Sequence, residues 1–192
     1  AVAGGFEVPK VMGSYSTNLK CGIGGYEGRA LQMGDELPVG AAVHTWDEVK
    51  DRKVSVPDYQ KEVLVSVVPG PQEEYFTEAG IHHFYAGSYE VTESCDRMGY
   101  RLEGPEVESK NGTDIVSDGI VFGSIQIPSS GKPIILMADH QTTGGYAKIG
   151  TVIQADLPKV AQCKPGDRIR FRKVSVEEAQ EISRKERKKE CF

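Results

Sequence analysis

Between positions 139 and 148 the chain reads Asp139, His140, Gln141, Thr142, Thr143, Gly144, Gly145, Tyr146, Ala147 and Lys148. A carboxylate, an imidazole, an amide, two hydroxyls, a phenol and an ammonium crowd into one short segment, and adjacent glycines leave its backbone open to close approach. This mixture suits chemistry on a small polar molecule. Asp139 or His140 would accept a proton, while Lys148, Thr142 and Thr143 would hold carboxylate or phosphate oxygens. Consecutive N–H groups at Gly144 and Gly145 would form an anion-accepting concavity. A plainer reading stands beside this one: a hairpin turn satisfied by its own side chains, with Asp139 capping local amides and Tyr146 packing its ring.

The elements that must position these groups are mostly strands. Apolar Pro133, Ile134, Ile135, Leu136 and Met137 lead into the segment and predict a buried strand over 134–138. Further strands are expected over 63–68, 84–91, 121–127, 148–154 and 168–172. The last alternates, with Ile169 and Phe171 toward one face and Arg168, Arg170 and Arg172 toward the other. Gln126 lies in an apolar strand, either turned into a site or satisfying a buried backbone group. Helix is expected as one turn over 71–76, a short piece over 155–162 with Asp156 as cap and Pro158 in its first turn, and a C-terminal helix begun by Ser175 and Glu178. Acidic residues early and basic residues late in that helix complement its dipole. Many short strands with little helix predict an all-β barrel or sandwich, divided as residues 1–174 in one domain and 175–192 as a charged helix or tail.

Composition excludes several classes. The formal charge of −5 over 192 residues argues against a general nucleic-acid binder. No apolar run approaches the ~20 residues needed to span a bilayer, and no secretion signal is visible, so a cytoplasmic protein without membrane partners is expected. Cys21, Cys95, Cys163 and Cys191 lack zinc spacing and read as reduced thiols. His82 and His83, read as strand neighbours, point to opposite faces and predict no metal site. Nor is there a P-loop or a Met-Lys-Met biotin-attachment pattern.

Several blocks occur together in order. One is Gly24, Gly25, Tyr26, Glu27, Gly28, Arg29, Ala30 and Leu31 followed by Gly34 and Asp35. Another is Val68, Pro69, Gly70, Pro71 and Gln72 with Tyr75 and Phe76. A third runs from Asp96, Arg97, Met98, Gly99, Tyr100 and Arg101 to Gly104. The fourth starts at Ser117, Asp118, Gly119 and Ile120, passes Gly123 to Pro128, and enters the 139–148 segment. Together they resemble the biotin-dependent carboxyltransferase family, also labelled allophanate hydrolase subunit 2. That family includes the C subunit of bacterial ATP-dependent 5-oxoprolinase, an antagonist of a sporulation-kinase inhibitor, and part of urea carboxylase. Typical members carry roughly a hundred further residues before Gly4, about the size of one small domain.

The resemblance implies a cyclophilin-like β-barrel and, as the leading activity, a share in opening 5-oxoproline to glutamate. A lactam carbonyl is a poor electrophile because of amide resonance, so ATP would activate its oxygen before water attacks. The implied roles put Asp139, Gln141 and Lys148 in catalysis. Gln126, His140, Thr142, Thr143, Gly144, Gly145, Tyr146 and Arg97 would bind substrate; Arg97 reads equally as half of a structural ion pair. Gly24, Gly25 and Gln72 would touch a cofactor, although the glycines also read as a tight turn and Gln72 as a helix start. The partners implied are a KipI-like and a LamB-type subunit, ATP would be shared with a partner subunit, and no metal is called for. In the alternative carboxyltransferase reading, carboxybiotin replaces ATP as the reactive partner. A third reading is a non-catalytic regulator that antagonises a sensor-kinase inhibitor.

Overall fold

A computed structural model describes residues 2–51 and 58–190, the side chains of 187–190 excepted. Where the sequence suggests one domain to residue 174, the backbone groups into two compact units, residues 1–56 and 57–192.

The first unit is built from turns. Short antiparallel bridges pair Phe6 with Val39, Val11 with Ser14 and Asn18 with Ile23, and a single helical turn, α1 (Trp46–Val49), follows. Its best-defined link is a fork: Arg29 donates to both oxygens of Asp35 at 2.7 and 2.8 Å. The guanidinium, helped by the Gln32 amide, pulls the Asp35 carboxyl down to about 2. The charged stretch 47–53, whose composition predicts a surface excursion, begins within α1, and its last two residues lie outside the described residues.

The second unit is a closed barrel of seven strands in the order β1, β8, β5, β6, β3, β2, β9. These are β1 (Glu62–Pro69), β2 (Ser88–Cys95), β3 (Gly99–Glu103), β5 (Ser124–Gln126), β6 (Ile134–Leu136), β8 (Lys148–Val152) and β9 (Arg168–Lys173). A separate two-stranded ribbon pairs β4 (Asp114–Gly119) with β7 (Thr143–Tyr146). The barrel closes through a parallel pairing of β1 with β9, from Glu62 opposite Arg168 to Val67 opposite Lys173. Closure leaves no sheet edge in the wall. The all-β class and the barrel expected from the sequence are both present.

Alternation fills the interior. In β9 Ile169 and Phe171 are buried while Arg168, Arg170 and Arg172 are exposed, as the period of two requires. Val65, Val67, Ile125, Ile135 and Ile149 join them in the core. Phe84 stacks on Phe171 with ring centroids 4.4 Å apart.

Phe84 corrects one strand expectation. Residues 84–91 split into α2 (Glu78–Ala86) and β2. Thr77 caps the helix by accepting the Gly80 N–H at 2.9 Å, and aromatic bulk at Phe84 and Tyr85 imitates strand composition. His82 and His83 are therefore exposed neighbours on a helix, not on a strand. Residues 71–76 hold a 3-10 turn at Glu73–Tyr75. Residues 155–162 hold a 3-10 turn, Gln154–Asp156, running into α3 (Leu157–Gln162). Asp156 makes no cap bond; it is buried and accepts the Ser66 N–H at 2.7 Å and the Lys159 ammonium at 2.6 Å. The C-terminal helix α4 (Val176–Glu190) begins as expected, with Ser175 accepting the Glu178 N–H. Cys21, Cys95 and Cys163 are free thiols, and burial pushes Cys163 up to about 11; Cys191 lies outside the described residues. Among the described residues no helix is long and apolar enough to cross a membrane.

Candidate functional site

Lys148, the first residue of β8, has a buried side chain. Burying an ammonium is costly unless it is paired and hydrogen-bonded. Here Nζ lies 2.5 Å from Asp118 Oδ2 and 2.9 Å from the Gly119 carbonyl oxygen. An ammonium carries three donors, so one remains unassigned among the described residues. Gln72 ties the same cluster together. Its Oε1 accepts the Lys148 N–H at 3.2 Å and its Nε2 donates to Asp118 Oδ2 at 3.3 Å. The Lys148 ammonium, then the Gly119 amide, then the Gln72 amide hold the Asp118 carboxyl below its ordinary range.

The ribbon supplies this geometry. In β4–β7, Asp118 stands opposite Gly144 and Gly119 opposite Thr143. Thr143, Gly144, Gly145 and Tyr146 are thus extended strand residues. Their amides point alternately to either side, not together into the concavity expected for a Gly-Gly loop. What Gly144 contributes is space. A Cβ there would stand 2.6 Å from Gln126 Nε2 and 3.4 Å from Gln141 Nε2. The missing side chain lets two carboxamides approach one stretch of backbone.

Gln126 is buried in β5, and its Nε2 donates to the Tyr146 carbonyl at 3.3 Å. It satisfies a backbone group and also lines a cavity of about 440 Å³. Gln141, Tyr146, Arg101, Glu93 and Asp96 line the same cavity. Asp96 is committed to a turn, accepting the Met98 and Gly99 N–H groups at 2.8 and 3.1 Å.

The remaining candidates are engaged locally. Arg97 grips Asp139 through two bonds of 2.8 and 2.9 Å. The guanidinium lowers the Asp139 carboxyl, which makes it a weaker base than an isolated aspartate. His140 Nδ1 donates to the Gln141 carbonyl at 2.7 Å. Thr142 and Thr143 are exposed, and the Thr142 carbonyl accepts the Ile120 N–H. Gly24 and Gly25 belong to the first unit, both with positive φ. Added Cβ atoms there would strike Ser16 O at 2.4 Å and Thr17 Oγ1, so both glycines shape a tight turn.

Asp118 is the functional residue that site selection from sequence missed. It stands in the fourth motif block, but 30 positions from Lys148, and Ser-Asp-Gly reads as a turn. Only the pairing of β4 with β7 joins them.

Barrel, accessory ribbon and polar rim together define a domain of the carboxyltransferase type. The family model for "Carboxyltransferase domain, subdomain A and B" matches residues 1–173, and the chain belongs to that family. It is 39% identical over 184 residues to the 5-oxoprolinase C subunit of Haemophilus influenzae, covering 96% of this chain and 58% of that protein. Against the 5-oxoprolinase C subunit of Escherichia coli the identity is 41% over 183 residues, covering 93% and 56%. The crystal structure of the K. lactis urea amidolyase superposes with a TM-score of 0.77 at 26% identity, covering 97% of this chain and 12% of that one. The chain thus spans between half and two thirds of these two 5-oxoprolinase relatives.

Proposed function

We propose that this chain is part of one component of a multi-protein, ATP-dependent 5-oxoprolinase acting in the cytoplasm, alongside KipI-like and LamB-type partners. Identity near 40% to two 5-oxoprolinase C subunits, across nearly all of this chain, carries the reading. The cavity chemistry supports it. Gln126 and Gln141 present carboxamides that match both the N–H and the C=O of a lactam. Lys148 does not line the cavity but stands opposite Gln126 across β5 and β8; with a donor to spare, it is suited to stabilise negative charge on a lactam oxygen brought to it. Asp118 and Gln72 hold that ammonium in place, so no reorganisation is needed when charge appears.

The chemistry of this cavity does not fit a triphosphate. The glycine pair is a strand, and the cavity wall sets two carboxylates, Glu93 and Asp96, against one guanidinium. In this reading ATP is bound on a partner protein of the complex, and the present chain binds and orients the lactam.

The direct test combines the full-length protein with its partner proteins and measures glutamate released from 5-oxoproline, with and without ATP. ATP-dependent release that requires this protein is expected; no stimulation rejects the proposal. A carboxyltransferase acting on urea is the second reading, favoured by the family model and by the urea amidolyase superposition. It predicts urea-dependent consumption of carboxybiotin in place of lactam opening.

A further inference from the structure

Three residues form a row across three adjacent barrel strands. Gln126 in β5 stands opposite Ile134 in β6, and Ile134 stands opposite Arg101 in β3. Residues paired in this way share one face of the sheet, and all three line the 440 Å³ cavity. Two strand spacings separate Arg101 from Gln126, about 10 Å between backbones. Apolar Ile134 lies between the guanidinium-bearing and the carboxamide-bearing ends of the row.

The charges along this wall are unequal in their commitments. Arg97, which does not itself line the cavity, is paired with Asp139 through two bonds, and Asp96 is held by its turn amides. No hydrogen bond or ion pair within the described residues engages the Arg101 guanidinium. Glu93 is the other uncommitted charge in the lining. Arg101 is an exposed residue of this wall, and a guanidinium without a partner carboxylate can receive a planar anion through two parallel N–H donors.

We infer that Arg101 is the specificity-determining residue of the cavity: it receives a carboxylate carried on a small lactam, whose amide meets Gln126 and Gln141 while its ring methylenes lie on Ile134. The inference takes its substrate class from the lactam reading above. It explains how a small amide bearing a carboxylate is chosen over a neutral one, since a neutral ligand leaves the guanidinium unanswered. Glu93 lies on β2, beside β3 at the Arg101 end of the row, and its charge weakens the hold on the anion there.

The test compares 5-oxoproline with 2-pyrrolidinone, the same ring without its carboxylate, in the full-length protein assembled with its partner proteins. Arg101→Gln is expected to raise KM for 5-oxoproline about 100-fold, the loss of a charge-assisted hydrogen-bonded pair. Its kcat should change little, and KM for 2-pyrrolidinone should stay where it was. Arg101→Lys restores charge without the fork and should recover part of the loss, while Glu93→Gln should tighten 5-oxoproline alone. Equal losses for both ligands, or an unchanged preference in Arg101→Gln, would overturn the inference. Calorimetric binding of the two ligands to the full-length protein keeps the questions separate. An Arg101-dependent carboxylate preference without turnover supports this residue's role and rejects the oxoprolinase reading. Turnover with that preference intact in Arg101→Gln does the reverse.

Discussion

The barrel wall and the β4–β7 ribbon lie in one compact unit yet are held by different forces. The wall excludes water: Val65, Val67, Ile125, Ile135, Ile149 and Ile169 are fully buried, and each contributes through apolar area and dense packing. The ribbon buries little. Apart from Ile115, which packs against the core, its contacts with the barrel are polar: the Lys148–Asp118 pair, the Gln72 bridge, and the Gln126 bond to the Tyr146 carbonyl. Wall residues tolerate change according to volume, and ribbon residues according to geometry and charge. Folding and chemistry are therefore separable by mutation.

The strongest expected effect on this contrast comes from the wall. Ile169→Ala should lower unfolding free energy by about 2–5 kcal/mol, read from the urea denaturation midpoint, with the activity per folded molecule retained. Lys148→Met should do the opposite. Activity of the assembled enzyme should fall by about 10²- to 10³-fold, while the urea midpoint moves far less than in Ile169→Ala, because half-exposed Asp118 can rehydrate. A large midpoint loss in Lys148→Met would erase the distinction. Gly144→Ala is expected to be milder, with activity reduced about tenfold as the Gln126 amide is pushed off the Tyr146 carbonyl; Gly145→Ala, whose added carbon meets only Ile115 O at 3.5 Å, is its control.

The smallest effect is a pH signature. The Asp118 carboxyl is lowered in the folded state, chiefly by the Lys148 ammonium. Its contribution to stability is present above the unfolded carboxyl value, about 3.9, and is lost as pH falls through the lower folded value. Melting temperatures of the native protein and Asp118→Asn should therefore converge in acid and separate above about pH 5. A difference that is constant with pH would show that the pair does not act through charge.

How much of this was legible in the sequence follows from the same contrast. The wall announces itself where one face meets the core: Ile169 and Phe171 alternate with three arginines, and the structure buries the first pair and exposes the rest. Alternation fails at residues 84–86, where a helix capped by Thr77 delivers Phe84 into the core from outside the wall. Side-chain composition cannot separate an aromatic helix end from a strand start; the cap is the better signal. Residues that share one segment, as Gln141 and Lys148 do, can be read together from the sequence; the structure places Gln141 in the cavity lining and Lys148 in the Asp118 pair. The site was illegible wherever a partner arrives by strand pairing. Asp118 reaches Lys148 through the ribbon register, and Arg101 reaches Gln126 through Ile134. Neither relation leaves a trace in spacing along the chain.

The seam between β1 and β9 sets the order in which the molecule can be made. Its two strands lie more than a hundred residues apart and run the same way, Val63 beside Ile169, so no short turn can bring them together. During synthesis β1 emerges with neither the β8 nor the β9 neighbour it needs. Its backbone amides must wait, solvated or guarded, until residue 173 clears the ribosome. Slow, late-committing assembly is the expected outcome, and a chain halted before β9 would expose two unsatisfied flanks ready to pair with another copy.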